Sequence, residues 1–304
     1  MNLMKSFSAA LLLSLVAVTG LTQKQNEFTL LWKVSGNGLE KASYLYGTIH
    51  MICKDDAVLS DSLQKIISRA DEVYLEVDMD NMFEMLTAMK SFKMRGDTTL
   101  SDLLSKEEYE KVRVYFENNQ VMIPFSMVQT YKPMLVQSMI MEKTSACEES
   151  IAIEQVIMAE AKRNKKQIKG LESLAYQAGL FDSIPYRLQA LQLLKMLDST
   201  RVKDSGTNEF EQMMEAYKRQ DLDALDKLIN NSDEDDLPNF RRILLDNRNN
   251  NWVAKLKELM PGKSLLVAVG AGHLPGEQGV ISLLRKAGYK VTPVANKTNR
   301  LKEI

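Results

Sequence analysis

Ser43-Tyr44-Leu45-Tyr46-Gly47-Thr48-Ile49-His50 and Ser264-Leu265-Leu266-Val267-Ala268-Val269-Gly270-Ala271-Gly272-His273 lie near opposite ends of the chain and read alike. Each is a strand-like apolar run that closes on Gly-x-x-His, and these are the chain's two histidines. The segments downstream of the two runs also match. After His50 come a polar loop, a helix opening near Ser60 as N-cap with Leu63, Ile66, Ile67 and Ala70 on one face, and the strand-like Val73 to Asp78. After His273 come a Leu274-Pro275-Gly276 loop, a helix from Gly279 to Ala287 closed by Gly288, and the strand-like Tyr289 to Val294. Phe28 to Val34 precedes the first unit and joins it through Ser35-Gly36-Asn37-Gly38, a hairpin signal. The pattern predicts an α/β fold with a mixed central sheet built from N- and C-terminal βαβ-like units. Ligands of open α/β sheets bind outside the carboxyl ends of the strands, where both histidines fall.

At 304 residues the chain is long enough for roughly two domains in series. The matching ends predict instead one discontinuous domain over residues 21–304, with a large and mostly helical insertion at about 80–260. Helical periodicity runs through Asn81 to Lys93, Ser105 to Asn118, Pro133 to Glu142, Ile151 to Arg163, Tyr186 to Ser199 and Asn208 to Tyr217. Most of the eighteen methionines lie there and are read as packing. Gln167 to Leu171 is a short strand candidate that leaves Glu172 at a strand's carboxyl end. Asp233-Glu234-Asp235-Asp236 lacks the spacing and glycine of an EF-hand and reads as a solvated loop.

Thirty-nine basic against forty acidic residues leave a net charge of -1, so no positive field gathers nucleic acid, and none is expected as a partner. Residues 1–20 read as a secretory signal peptide: Lys5, an apolar run from Phe7 to Val18, then small residues before Gly20. The run is too short to span a bilayer, no cysteine follows it to carry a lipid, and no transmembrane anchor is expected after cleavage. The expected destination is a periplasmic or extracellular space. In that oxidising setting the two cysteines, Cys53 and Cys147, are expected to form a disulfide, with a Cys53–His50 nucleophile as the rival reading. No GxSxG elbow, Walker A motif or GxGxxG run is present, which leaves serine hydrolase, nucleotidase and dehydrogenase readings unsupported.

Two imidazoles delivered to one sheet edge point to metal ligation, and a catalytic metal takes three protein ligands and leaves a position open. Glu76 is the third candidate beside His50 and His273, because it lies near the carboxyl end of the next strand between Leu75 and Val77. Asp78 is its substitute. Glu172 is an outer partner of the ligands or a bridge between them, or merely an acid at a helix N-terminus.

These segments carry a resemblance. Leu45 to His50, the strand bearing Glu76, Gly170-Leu171-Glu172-Ser173 with Gln177 and Leu180-Phe181-Asp182, Arg248-Asn249 with Trp252, and Val269 to Leu274 with Gly276 and Gly279 resemble the TraB/GumN family, which includes the Tiki metalloproteases. The likeness runs from about Phe28 to Val294 and implies an erythromycin esterase- or ChaN-like fold. It further implies a metal-dependent hydrolase, in Tiki relatives a manganese- or cobalt-supported peptidase, in which His50, Glu76 and His273 here would be required. Glu172, Arg248 and Asn249 match further motifs of that family, which implies Glu172 as general base and Arg248 as an oxyanion or substrate-carboxylate clamp, with a structural ion pair on a helix as the other reading of Arg248. The expected cofactor is a divalent ion (manganese, cobalt or zinc), and the expected substrate is a peptide or a small amide or ester. The alternatives are a haem- or metal-binding protein of the same fold without catalysis, a non-haem iron oxygenase, whose usual β-barrel the βαβ pattern opposes, and an interaction protein with a vestigial site.

Overall fold

The computed structural model describes residues 28–119, 124–143, 147, 149–201, 206–231, 237 and 239–298. The expected signal peptide and the acidic run Asp233 to Asp236 lie outside them. Gly36, Asn37 and Gly38 all take positive φ, and this reverses the chain between β1 (Leu31–Ser35) and β2 (Ser43–Thr48), which pair antiparallel as the hairpin signal predicts. Ser60 then caps α1 (Asp61–Arg69), its hydroxyl accepting the Leu63 N–H at 3.1 Å, and Leu63 and Ile67 are buried on the expected face. The next strand is β4 (Glu72–Leu75), after the short β3 (Ile52–Cys53). It is shorter than the sequence suggests and ends one residue before Glu76.

Six strands form one sheet in the order β6-β4-β7-β2-β1-β8, with β6 at Gln167–Gly170, β7 at Leu265–Gly270 and β8 at Lys290–Pro293. The four strands β6, β4, β7 and β2 run parallel, and β1 is antiparallel to both β2 and β8. The sheet is therefore mixed, as expected, but its two end units interleave and do not stand side by side. The C-terminal β7 lies between β2 and β4, and β8 closes the far edge against β1. All six residues of β7 except Gly270 are buried, as befits a central parallel strand.

Helices fill the stretch between β4 and β7: α2 (Met82–Ala88), α3 (Leu100–Leu103), α4 (Lys106–Asn118), α5 (Phe125–Val128), α6 (Pro133–Lys143), α7 (Ile153–Arg163), α8 (Leu174–Leu180), α9 (Tyr186–Arg201), α10 (Gly206–Lys218), α11 (Leu222–Asn230) and α12 (Asn247–Leu259). After β7 comes α13 (Val280–Lys286). The helical reading of Ile151 needs correction. Ser150–Ile151 is a two-residue strand, β5, paired antiparallel with β3, and α7 starts only at Ile153. One apolar core surrounds the sheet, and a second joins Leu100, Val112, Val136, Ile140, Leu193 and Leu197 within the helical stretch. Cys53 and Cys147 form a disulfide beside the β3–β5 pair. Among the described residues no helix is long and apolar enough to cross a membrane.

Candidate active site

The register of the parallel strands assembles the site. Thr48 of β2 lies opposite Gly270 of β7, so His50 and His273 leave neighbouring strands at nearly the same level. Tyr74 of β4 lies opposite Val267 on the other side of β7, which brings Glu76, two residues on, up to the same edge. The Gly270 N–H donates to Glu76 Oε1 at 2.7 Å, and a Cβ on Gly270 would come within 3.2 Å of that oxygen. Gly47 meets a similar limit, since its Cβ would lie 3.1 Å from Ala271 in the other Gly-x-x-His turn. Both motif glycines thus serve close approach, one to a carboxylate and one to its sister turn.

His273 is buried and tightly held. The amide of Asn249 donates to the Gln278 carbonyl at 2.8 Å, so its Oδ1 faces the ring and accepts the Nδ1 proton at 2.6 Å. The lone pair is therefore on Nε2, which accepts from Arg248 Nη1 at 3.1 Å and lies 3.8 Å from Glu76 Oε1. Trp252 packs on the ring at a centroid distance of 4.4 Å. Burial lowers the His273 pKa to about 3 against the pull of Glu76, so the ring is neutral near pH 7. Burial would raise the Glu76 carboxyl, but His273, Arg248 and His50 outweigh it and hold the group at about 2.

Arg248, Asn249 and Trp252 all come from α12, a helix that sequence periodicity did not reveal. Arg248 commits its whole guanidinium. Nε donates to Glu172 Oε1 at 2.8 Å, Nη1 to the Leu244 carbonyl and to His273, and Nη2 reaches Glu76 Oε2 at 2.5 Å and Glu172 Oε1 at 2.7 Å. Four hydrogen bonds and two ion-pair contacts thus tie Arg248 to Glu76, Glu172, His273 and the Leu244 carbonyl. Glu172 is equally committed: Oε1 also accepts from Gln177, and Oε2 accepts from the Trp252 indole at 2.9 Å. Gln177 bridges Glu172 and Glu76. Glu172 thereby ties α8, α12 and the strand end bearing Glu76 together. Asp78, the substitute ligand, accepts the Asp80 N–H at 3.1 Å in the turn that leads to α2.

His50 differs from its counterpart. Its side chain is 74% exposed, and Nδ1 lies 2.8 Å from Glu154 Oε1. That contact, against the opposing effect of desolvation, raises the His50 pKa to about 9, and the ring also feels Glu76 and Arg248. Glu154 was not singled out in the sequence; its only signal there is an acid in the first turn of a helix.

Among the described residues no three His, Cys, Asp or Glu side chains already stand as a metal-binding group. Arg248 occupies the space that Glu76 and His273 share. The chemistry of the donors fits a cation nonetheless. Each histidine has its Nδ1 committed to an oxygen acceptor, which leaves Nε2 as the donor atom, and ligating histidines are commonly held by such acceptors. Glu76 adds an ionised carboxylate.

The model of the TraB/PrgY/gumN family matches residues 30–293. The chain is 22% identical to metalloprotease TIKI2 of Danio rerio over 86% of its length, spanning 60% of that protein, and 22% identical to metalloprotease TIKI1 of Homo sapiens over 89%, spanning 63%. It is 27% identical to the uncharacterized protein YbaP of Shigella flexneri over 80% of its length, spanning 88% of that protein. No solved structure matches. The match of the family model along nearly all of the described sheet and site identifies the chain as a member of the TraB/PrgY/gumN family.

Proposed function

We propose that the chain is an exported metal-dependent hydrolase, acting on a peptide or a small amide or ester, with a divalent cation held by His50, Glu76 and His273. The observation that supports it is that His50, Glu76 and His273 all follow the carboxyl ends of neighbouring parallel strands, with both histidine Nδ1 atoms on oxygen acceptors and Glu76 ionised. The metalloprotease names of the TIKI relatives favour peptide bonds, and the disulfide supports an oxidising compartment. An erythromycin esterase- or ChaN-like fold, organised as one domain over residues 21–304, belongs to the same proposal.

Manganese, cobalt or zinc bound there would supply Lewis acidity, making water nucleophilic near neutral pH and polarising a carbonyl. The protein's own groups supply order. Asn249 fixes the His273 tautomer, and Trp252 fixes its plane. The Gly270 N–H and Gln177 hold the two oxygens of Glu76. Glu172 anchors Arg248, whose charge neutralises the buried carboxylates.

The test is cleavage of a peptide library by the mature protein with manganese, cobalt or zinc, compared with His50→Ala and His273→Ala. Cleavage that needs the metal and is lost in both variants is expected. Equal activity in the variants overturns the site, and haem uptake without cleavage would replace hydrolase by binding protein.

A further inference from the structure

Glu154 makes an unusual set of contacts for an acid at the start of a helix. It stands in the first turn of α7, where a carboxylate commonly caps backbone N–H groups, yet the contacts of Oε1 go to the first Gly-x-x-His motif. Oε1 accepts the Thr48 hydroxyl at 2.6 Å and faces His50 Nδ1 at 2.8 Å. Oε2 is buried and has no hydrogen-bond partner among the described residues. A largely buried carboxylate with one idle oxygen is held by the contacts of the other, here to Thr48 and His50.

The chain holds this pair in place by independent means. The Ile153 N–H donates to the Ile49 carbonyl at 3.1 Å, so the start of α7 is docked on the motif itself. Ile52 pairs with Ile151, and Cys53 is bonded to Cys147. The loop after His50 and the segment before Glu154 are therefore fastened by a backbone contact, a two-residue ladder and a covalent bond. These elements are remote in sequence, which explains why the partnership is invisible there.

We propose that Glu154 is the positioning residue of the candidate site: anchored by Thr48, it accepts a hydrogen bond from the Nδ1–H of His50 and so leaves Nε2 of the neutral ring with the free lone pair. It does for His50 what Asn249 does for His273. This assignment rests on the function proposed above only for the purpose of that donor atom; the contact itself can be tested without metal.

With two histidines in the chain, nitrogen NMR of histidine-labelled protein reads both rings separately. At a pH where His50 is neutral, the wild type should carry its proton on Nδ1. Glu154→Ala should move it to Nε2, the form a free imidazole prefers, while His273 stays unchanged. Glu154→Gln keeps an acceptor oxygen and should rescue the wild-type form. In calorimetric titration with cobalt(II) chloride, Glu154→Ala should bind roughly 10–100-fold more weakly, and Glu154→Gln should recover part of the loss. A His50 proton that stays on Nδ1 in Glu154→Ala overturns the assignment. Failure of the wild type to bind cobalt, with the tautomer change intact, would sink the metal reading and leave Glu154 as the residue that orients His50.

Discussion

Replacing Arg248 with methionine keeps much of its volume and removes the charge between Glu76 and Glu172. The arginine side chain is 8% exposed, the two glutamates 10% and 7%, so solvent screening gives little relief. Breaking a buried ion pair from one side destabilises by about 3–5 kcal/mol. A second route gives a similar figure. The two carboxylates can relieve their repulsion by taking one proton, and from an ordinary value of 4.5 this costs about 1.4 kcal/mol per pH unit, or about 3.4 kcal/mol near pH 7. The deficit should therefore shrink to about 0.7 kcal/mol near pH 5. Urea unfolding followed by circular dichroism at both pH values measures it, with a melting temperature roughly 6–20 °C lower expected near neutrality. Divalent metal at a hundred times its Kd should restore about 2.7 kcal/mol if it takes the vacated place. A deficit of equal size at both pH values would mean that lost packing, not unpaired charge, is responsible, and the ion-pair reasoning would fail.

The wild type should lose stability in acid. Both His273, held at about 3 in the fold, and Glu76, held at about 2, stay unprotonated where the unfolded chain takes up protons. Their contributions are complete above the ordinary values of 6.5 and 4.5 and fade as pH falls towards 3 and 2, so a urea midpoint that stays constant between those limits would contradict the burial of this pair. His50 has the opposite sign: its pKa of about 9 gives stability that is whole below 6.5 and fades as pH rises through about 9, a small effect for an exposed ring. The same proton competes with metal, so calorimetry should show affinity rising by up to about tenfold per pH unit below about 9. Asn249→Ala leaves the buried Nδ1–H of His273 without an acceptor and should destabilise by about 1–3 kcal/mol, measured by chemical unfolding. Reduction of Cys53–Cys147, which are 94 residues apart, should remove up to about 4.7 kcal/mol, read as a drop in thermal midpoint, and no drop would show the bond to be structurally idle.

The parts of the fold with local signals were legible in the sequence. Ser60 announces α1, Gly36 to Gly38 announce the hairpin, and the run Leu265 to Gly270 declares a buried strand. The strand order was not, because no local signal says that β7 enters between β2 and β4. His50 and His273 could be picked out because each follows a strand-like run that ends on Gly-x-x-His, and Glu76 because it sits near the end of the next strand-like run. Arg248 and Asn249 came only through family likeness: α12 starts on Asn247-Arg248-Asn249-Asn250-Asn251, a polar stretch with low helix propensity. Buried contacts to Glu76, Glu172 and His273 override that propensity. Glu154 stayed hidden because its role is set by a disulfide and a two-residue ladder joining segments far apart in sequence.

Charge balance explains how the site can hold Arg248 and still suit a cation. Glu76 and Glu172 bring two negative charges to a buried place, His273 is neutral, and Arg248 supplies one positive charge. A deficit of one positive charge remains, which His50 meets in part from the rim. Arg248 grips Glu172 through both Nε and Nη2 but Glu76 through Nη2 alone and His273 through Nη1 alone. Releasing Glu76 and His273 therefore asks less of the guanidinium than leaving Glu172. Glu172 is thus the principal partner of Arg248, and the two Gly-x-x-His rings sit in different surroundings: His273 is buried against that arginine, and His50 is exposed beside Glu154.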